Sequence, residues 1–470
     1  MTVTPATIPA VSPTAAAQGA RDAFTSGRTA TTQWRRDQLA ALDRLLAENG
    51  GAIEAAVGSD LGKHPLETHL VEVGSVRAEI ALVLKKLNAW TRPRKVAMPL
   101  ALRPAWASIV RQPLGTVLII APWNYPVHLL LMPLIGAIAA GNSVVVKPSE
   151  LAPETSHLMA RLFPAYLDSD AIRVVEGAVD ETTELLEFAW DHIFYTGNGT
   201  VAKIVMAAAA KHLTPVTLEL GGKSPVWVDE SADIDAAAAW IAWGKLLNAG
   251  QTCVAPDYVL ATPGVVGPLI EALQRHVTEL YGADPHGSAD FGRIVNSRHV
   301  DRLVGLAGSG EVAFGGDFDR EERYLAPTVL RDVSIDDAVM REEIFGPILP
   351  IITVAGLEEG LAIINGREKP LALYCFTGRA DVRTAFIERT TSGGLAINST
   401  LLQVGVSALP FGGVGASGMG AYHGELSIRA FSHERAVARK GRGPNLTRLS
   451  WAPYTEKKER TLRGRGSASK

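Results

Sequence analysis

From Gly115 onward the chain alternates short unbroken apolar runs with helical stretches, and this alternation constrains its fold more than any other feature. GTVLIIA (115–121), SVVVKP (143–148), AIRVVEG (171–177) and DHIFYTG (191–197) read as strands that are apolar on both faces. Helical patterns at Leu129–Ala140, Glu154–Phe163 and Glu181–Phe188 separate them. Strands of that kind belong to a parallel sheet with helices on both sides. The alternation resumes after Gly222 with SPVWVD (224–229), a helix over Asp235–Ala249, YVLAT (258–262) and a helix over Val265–Tyr281. A last apolar strand, GGLAINST (393–400), leads to the glycine-rich PFGGVGASGMG (410–420). The fold class is α/β, with two doubly wound domains. Before Gly115 the pattern is helical from about Thr14 to Trp90, TRPRKV (91–96) breaks it, and Pro99–Arg111 reads as extended pieces of an arm.

Length and composition agree with more than one domain. The chain has 470 residues, 47% of them hydrophobic and 20% charged. The longest apolar run, Leu114–Val146, could span a bilayer by length alone. Pro122, Asn124, Pro126, His128, Pro133 and Asn142 interrupt it, which predicts a buried strand, a turn and a buried helix instead. The Pro/Ala/Thr-rich start lacks the basic and apolar regions of a secretory signal. The two cysteines, Cys253 and Cys375, fit a reducing compartment, and we expect a cytoplasmic protein with no metal site. A net charge of -3 gives no reason to expect nucleic acid. Residues 436–470 hold ten Lys/Arg and two Glu, a local net of +8, and read as a flexible, solvated tail; an anionic contact is the sharper alternative.

Candidate chemistry clusters in a few short segments. Cys253 closes NAGQTC, where small polar neighbours leave the sulfur unprotected, whereas Cys375 sits in the apolar run LALYCFTG and reads as core. A thiol nucleophile needs a base, and no His stands in a suggestive context. Glu219, between Leu218 and Leu220 in LELGGKSP, is an acid in an apolar strand. Burial there would raise its pKa and make it a usable base; the plainer reading is a salt-bridged strand end. In PWNYP two prolines hold the backbone around Asn124, whose amide could serve a developing oxyanion or simply a turn. KPSE ends the next strand, with Lys147 in reach of a ribose or phosphate. YTGNGTVA forms a strand-to-helix turn around Gly197 and Gly199, a weak dinucleotide fingerprint because its last position is Ala202. EEIFGP (342–347) could line a cofactor ring or only end a helix.

Together, and in this order, PWNYP, KPSE, FYTGN, LELGGKSP, AGQTC, EEIFGP and PFGGVG resemble the aldehyde dehydrogenase superfamily over roughly residues 14–435. TPVTLELGGKSP and FGGVGASGMGAYHG resemble its class 3 branch. The resemblance implies an NAD(P)-dependent oxidation of an aldehyde to an acid through a cysteine thiohemiacetal and thioester. NAD is the expected cofactor and NADP the alternative. It implies Cys253 as nucleophile, Glu219 as base, 34 residues earlier, and Asn124 as oxyanion donor. Cofactor contacts would come from Trp123, Lys147, Ser149, Glu150, Gly197, Asn198, Gly199, Leu220, Gly221, Glu343 and Phe345. The implied domains are 14–98 with 114–220 for the dinucleotide, 221–396 for catalysis, and 99–113 with 397–435 as oligomerisation arm and C-terminal segment. Residues 1–13 would be disordered. A homodimer with no membrane span is expected. The chain departs from the branch at Ala202, at LLQVGVSALP, which lacks a His before PFGG, and in the basic tail, which replaces an apolar anchor. The alternatives are a semialdehyde-specific or acyl-transferring relative, or a cysteine hydrolase without redox chemistry.

Overall fold

The computed structural model describes residues 12–443 and 445–463. The first 11 residues, most of the stretch expected to be disordered, lie outside the described part. The first helix, Pro13–Thr25, starts at the end of that stretch, with Ser12 as N-cap and Pro13 in the first turn.

Two sheets organise the chain. The first has six strands in the order Gly418–Met419, Val216–Glu219, His192–Thr196, Thr116–Ile120, Ser143–Lys147, Ile172–Val174. All its pairings are parallel except the one at Gly418–Met419. All five residues of Thr116–Ile120 are buried. Val117 and Ile119 face one core, with helices Thr32–Glu48, Ser75–Thr91 and His128–Ala140; Leu118 and Ile120 face a second, with helices Pro13–Thr25 and Gly199–Ala210. This two-residue alternation between two apolar layers explains the unbroken hydrophobic run.

The second sheet has seven strands in the order Glu311–Phe314, Thr328–Arg331, Ile348–Thr353, Tyr258–Ala261, Pro225–Val228, Ala372–Phe376, Gly394–Ile397. It is parallel but for the edge strand Glu311–Phe314. Cys375 lies in its core, fully buried, as its apolar neighbours predict. The fold is the α/β arrangement with parallel sheets that the alternation implies. Among the described residues no helix is long and apolar enough to cross a membrane.

Three sequence expectations need correction. The segment 397–435 does not behave as an arm throughout. Gly418–Met419 joins the first sheet, and helix Glu425–Ala430 packs on His128–Ala140, where Gly136 leaves room for Ser427 and Phe431. Tyr422, Ile428 and Phe431 are buried in the first core, so burial of these large side chains draws the segment inward. The basic stretch 436–470 is not featureless either. Its first residues complete strand Ser432–Lys440, which pairs along its whole length with Ala105–Pro113 in a three-stranded sheet with Arg94–Val96. Backbone hydrogen bonding overrides charge there. A helix also forms over Glu456–Arg463. Finally, the helix expected to reach Ala249 ends at Leu246.

Helix Pro153–Tyr166 has Ala152 at its N-cap, which offers no side-chain acceptor. Asp60, from helix Gly50–Leu61, takes that place across the fold. Its carboxylate accepts from Glu154 N (3.1 Å), Thr155 N (2.9 Å) and Thr155 Oγ1 (2.8 Å). Asp60→Ala would leave buried donors without an acceptor and remove a negative charge from the helix N-terminus. We expect a loss of about 2 kcal/mol in urea unfolding; an unchanged midpoint would show that water replaces the cap.

Candidate active site

Parallel sheets present their functional loops at the carboxyl ends of the strands, at the point where strand order reverses. In the six-stranded sheet that point lies between Thr116–Ile120 and His192–Thr196. PWNYP leaves the first of these strands and the TGNG turn leaves the second. Glu219 ends the adjoining strand, in register with Thr196 and Gly418.

Cys253 reaches this crevice through a backbone device. After Leu246 the chain turns through Asn248 (φ 53°), Ala249 (φ 51°) and Gly250 (φ 78°), all left-handed. A Cβ at Gly250 would collide with Gly346 O, so the cysteine loop packs backbone-to-backbone on the EEIFGP loop. Cys253 is a half-buried free thiol. Burial pushes its pKa up, and the nearby carboxylates of Glu343 and Glu219 push it the same way. The thiol is therefore held protonated and needs a base.

Glu219 is 2% exposed. Neither carboxylate oxygen has a hydrogen-bond partner among the described residues, and Glu219 forms no ion pair there. The salt-bridged reading of this acid falls. Desolvation raises its pKa well above the ordinary carboxylate value.

Asn124, also 2% exposed, is fixed on both sides. Its Nδ2 donates to Gln251 O (3.0 Å), which leaves one further amide hydrogen for another acceptor. Its carbonyl accepts from Asn248 Nδ2 (2.8 Å) and from Lys63 Nζ (3.2 Å). Tyr125 bonds Thr252 Oγ1 at 2.7 Å. The Asn124 loop and the Cys253 loop are thus one hydrogen-bonded unit.

Most of the dinucleotide residues predicted from sequence lie at the same strand ends, whereas Glu343 and Phe345 stand in the loop before strand Ile348–Thr353 of the second sheet. Lys147 is buried and its Nζ sits 2.7 Å from Glu150 Oε2, with the Glu150 side chain 42% exposed. Ser149 is buried in the turn, its hydroxyl accepting from Leu151 N. Asn198 caps helix Gly199–Ala210, and space is open where a Cβ on Gly199 would stand. A Cβ on Gly197 would meet the Tyr195 hydroxyl. Ala202, the departure from the glycine fingerprint, is 2% exposed and packs with Leu118 and Val205, so its methyl fills the core. Leu220 is buried, and the Glu343 carboxylate fills the place of a Cβ on Gly221. Burial raises the Glu343 pKa to about 8. Phe345 (φ 52°) meets Trp123 edge-on at 5.4 Å. An exposed acid beside a buried Lys and an open helix N-terminus suit ribose hydroxyls and a pyrophosphate.

Several residues at the site carried no sequence signal. Lys223 pairs with Asp257 and donates to Val339 O (2.8 Å) and Glu342 O (3.0 Å), while Asp257 accepts from Ile344 N (2.9 Å). This pair grips the backbone on both sides of Glu343. His299 lies 5.8 Å from Trp123. Lys63 and Glu72 stand behind Asn124. Only the position of Lys223 inside LELGGKSP could have flagged one of them.

Glu219 also sets a pH dependence of stability. Its carboxyl holds a proton more tightly in the folded chain than in the unfolded one. The stability it contributes is full below the unfolded value of about 4.3 and is lost as pH rises through the higher folded value. Glu219→Gln should therefore melt increasingly above the wild type as pH rises from about 4.3. Melting curves that stay parallel across that range would mean the carboxylate is solvated.

The aldehyde dehydrogenase family profile matches residues 4–437. Aldehyde dehydrogenase family 3 member B1 of Rattus norvegicus is 48% identical over 446 residues, covering 95% of each chain. The dimeric NADP-preferring aldehyde dehydrogenase of Rattus norvegicus is 49% identical, covering 89% of this chain and 92% of its own. Among solved structures, the substrate-bound Staphylococcus aureus AldH superposes with a TM-score of 0.93 at 43% identity, covering 96% of this chain and 98% of that one. The chain belongs to the aldehyde dehydrogenase family and is an oxidoreductase that oxidises an aldehyde to a carboxylic acid with NAD(P).

Proposed function

We propose that Cys253, Glu219 and Asn124 carry the reaction. The observation behind this reading is their convergence at one strand-end crevice: a half-buried thiol, a buried carboxyl without partners and a clamped amide. Glu219 takes the thiol proton, and Cys253 Sγ attacks the aldehyde carbon to give a thiohemiacetal. The oxyanion accepts hydrogen bonds from the free Asn124 amide hydrogen and the Cys253 N–H, each such donor being worth about 3 kcal/mol. NAD(P) held by the residues assigned below would supply the hydride acceptor. The acyl group remains on Cys253 as a thioester. Once the thiol proton has passed from Glu219 to solvent, Glu219 removes a proton from water, which attacks the thioester; the Cys253 thiolate leaves and takes up that proton as the acid is released.

We assign cofactor binding to the six-stranded sheet. Lys147 and Glu150 stand at the adenosine ribose, the Gly197–Gly199 turn at the pyrophosphate, and Glu343 and Phe345 beside the nicotinamide with Trp123, Leu220 and Gly221. Glu150 favours a 2′-hydroxyl over a 2′-phosphate, which supports NAD first and NADP second. A semialdehyde or acyl acceptor would use the same three groups, so the alternatives within the family differ only in substrate. A hydrolase without redox chemistry leaves the Lys147–Glu150 and Glu343 arrangements without a purpose. Among the described residues, Arg94–Val96 and Ser432–Lys440 pair only with Ala105–Pro113 between them, so their outer edges are unpaired there, which supports a homodimer built through this sheet. Free thiols at both cysteines support a reducing compartment, the cytoplasm.

Cys253→Ala should abolish turnover, with any remaining rate excluding it as nucleophile. Glu219→Gln should stall after hydride transfer, leaving an acyl-enzyme visible in intact-mass spectra with the aldehyde and NAD. Wild-type steady-state turnover in that variant would refute the base assignment. Light scattering at micromolar concentration should report about 100 kDa for the dimer, twice the 50.0 kDa chain; a monomer mass would refute the arm-mediated pairing.

A further inference from the structure

We infer that the buried ion pair Lys63–Glu72 is a positioning device for Asn124, a role that rests on the oxyanion function proposed for that residue. Both side chains are fully buried, with Lys63 Nζ 2.6 Å from Glu72 Oε1. Neither lies in any motif around the crevice. Glu72 sits in the π-helical turn His69–Gly74, an irregularity rare enough to need a local cause.

The pair grips the Asn124 loop at both ends. Lys63 Nζ donates to Asn124 O at 3.2 Å and stands 4.2 Å from the centre of the Tyr125 ring. Glu72 Oε2 accepts from Val127 N at 2.8 Å and His128 N at 3.4 Å, where helix His128–Ala140 begins without a side-chain cap of its own. One carboxylate therefore fixes the end of the loop, and its partner ammonium fixes the peptide of Asn124 itself. Asn124 passes the constraint on. Its carbonyl also accepts from Asn248 Nδ2, its amide donates to Gln251 O, and Asn248 Nδ2 reaches the same Gln251 O at 3.2 Å. The amide direction is thus set by a closed ring of bonds that Lys63 and Glu72 grip through Asn124, while Glu67 Oε1 accepts from Asn248 N at 3.0 Å on its other side.

Two ions in a dry interior gain little stability over an apolar pair of similar volume, because desolvation offsets their attraction. Stability alone does not require this pair. Aiming an amide donor does, because a misplacement of about 1 Å at a reacting centre costs on the order of a hundredfold in rate. Lys63 and Glu72 touch no reacting atom. They act through Asn124.

The test uses the double variant Lys63→Met/Glu72→Gln, which leaves neither member of the pair as a lone buried charge. Glu72→Gln alone, isosteric and still an acceptor for Val127 N, serves if the double variant fails to fold. Folding is checked by circular dichroism and melting. With NAD and the aldehyde from a panel that turns over fastest, we expect kcat to fall tenfold or more in the double variant and threefold or more in Glu72→Gln. KM for NAD should stay within threefold. Adding Asn124→Ala to either variant should cost little beyond Asn124→Ala by itself, because both changes remove the same interaction. A folded variant with kcat within twofold of wild type overturns the inference. So does a loss that adds in full to that of Asn124→Ala, or one that appears equally in KM for NAD. If Asn124→Ala is itself as fast as wild type, the oxyanion role fails, and the positioning role with it. A slow Asn124→Ala beside a fast pair variant sinks the positioning role alone.

Discussion

Everything at the site depends on the burial of Thr116–Ile120 between two parallel neighbours. All five residues are buried, and their side chains alternate between two apolar layers. That strand cannot slip by one residue without exchanging the two layers. Its register with His192–Thr196 fixes where each chain leaves the sheet. PWNYP, the TGNG turn and Glu219 are brought together by strand pairing, and no contact among their own side chains is needed.

The residues proposed to carry the chemistry include buried polar groups that work against the fold. Glu219 is buried without a partner, an arrangement that favours its protonated form. Burial and two nearby carboxylates hold the Cys253 thiol protonated.

Two ion pairs perform parallel tasks. Lys63–Glu72 grips the Asn124 loop, and Lys223–Asp257 grips the backbone on both sides of Glu343. The two gripped loops meet the cysteine loop from opposite sides: Asn124 through hydrogen bonds to Asn248 and Gln251, and Gly346 through close packing on Gly250. The left-handed turn at Asn248–Gly250 is the hinge of this arrangement.

The alternation of apolar runs was enough to determine the α/β class and the parallel sheets, because a strand buried on both faces must be apolar at every position. The short motifs marked Cys253, Glu219 and Asn124 as candidates, since their residue types are unusual where they stand, and the family resemblance suggested their roles. Other features were not legible. Tyr422, Ile428 and Phe431 look like any scattered apolar residues, yet they pull 411–431 onto the first sheet. The basic run after Ala436 reads as solvated, yet its backbone extends a sheet to Lys440. Lys63, Glu72 and Asp257 look like ordinary surface charges. Their partners lie up to 87 residues away in sequence, as Ile344 does from Asp257. Local pattern records what a residue is and which faces of its own element are apolar. Only the tertiary structure decided which charges lost their water and which loops they hold, because desolvation depends on what the rest of the chain packs around them.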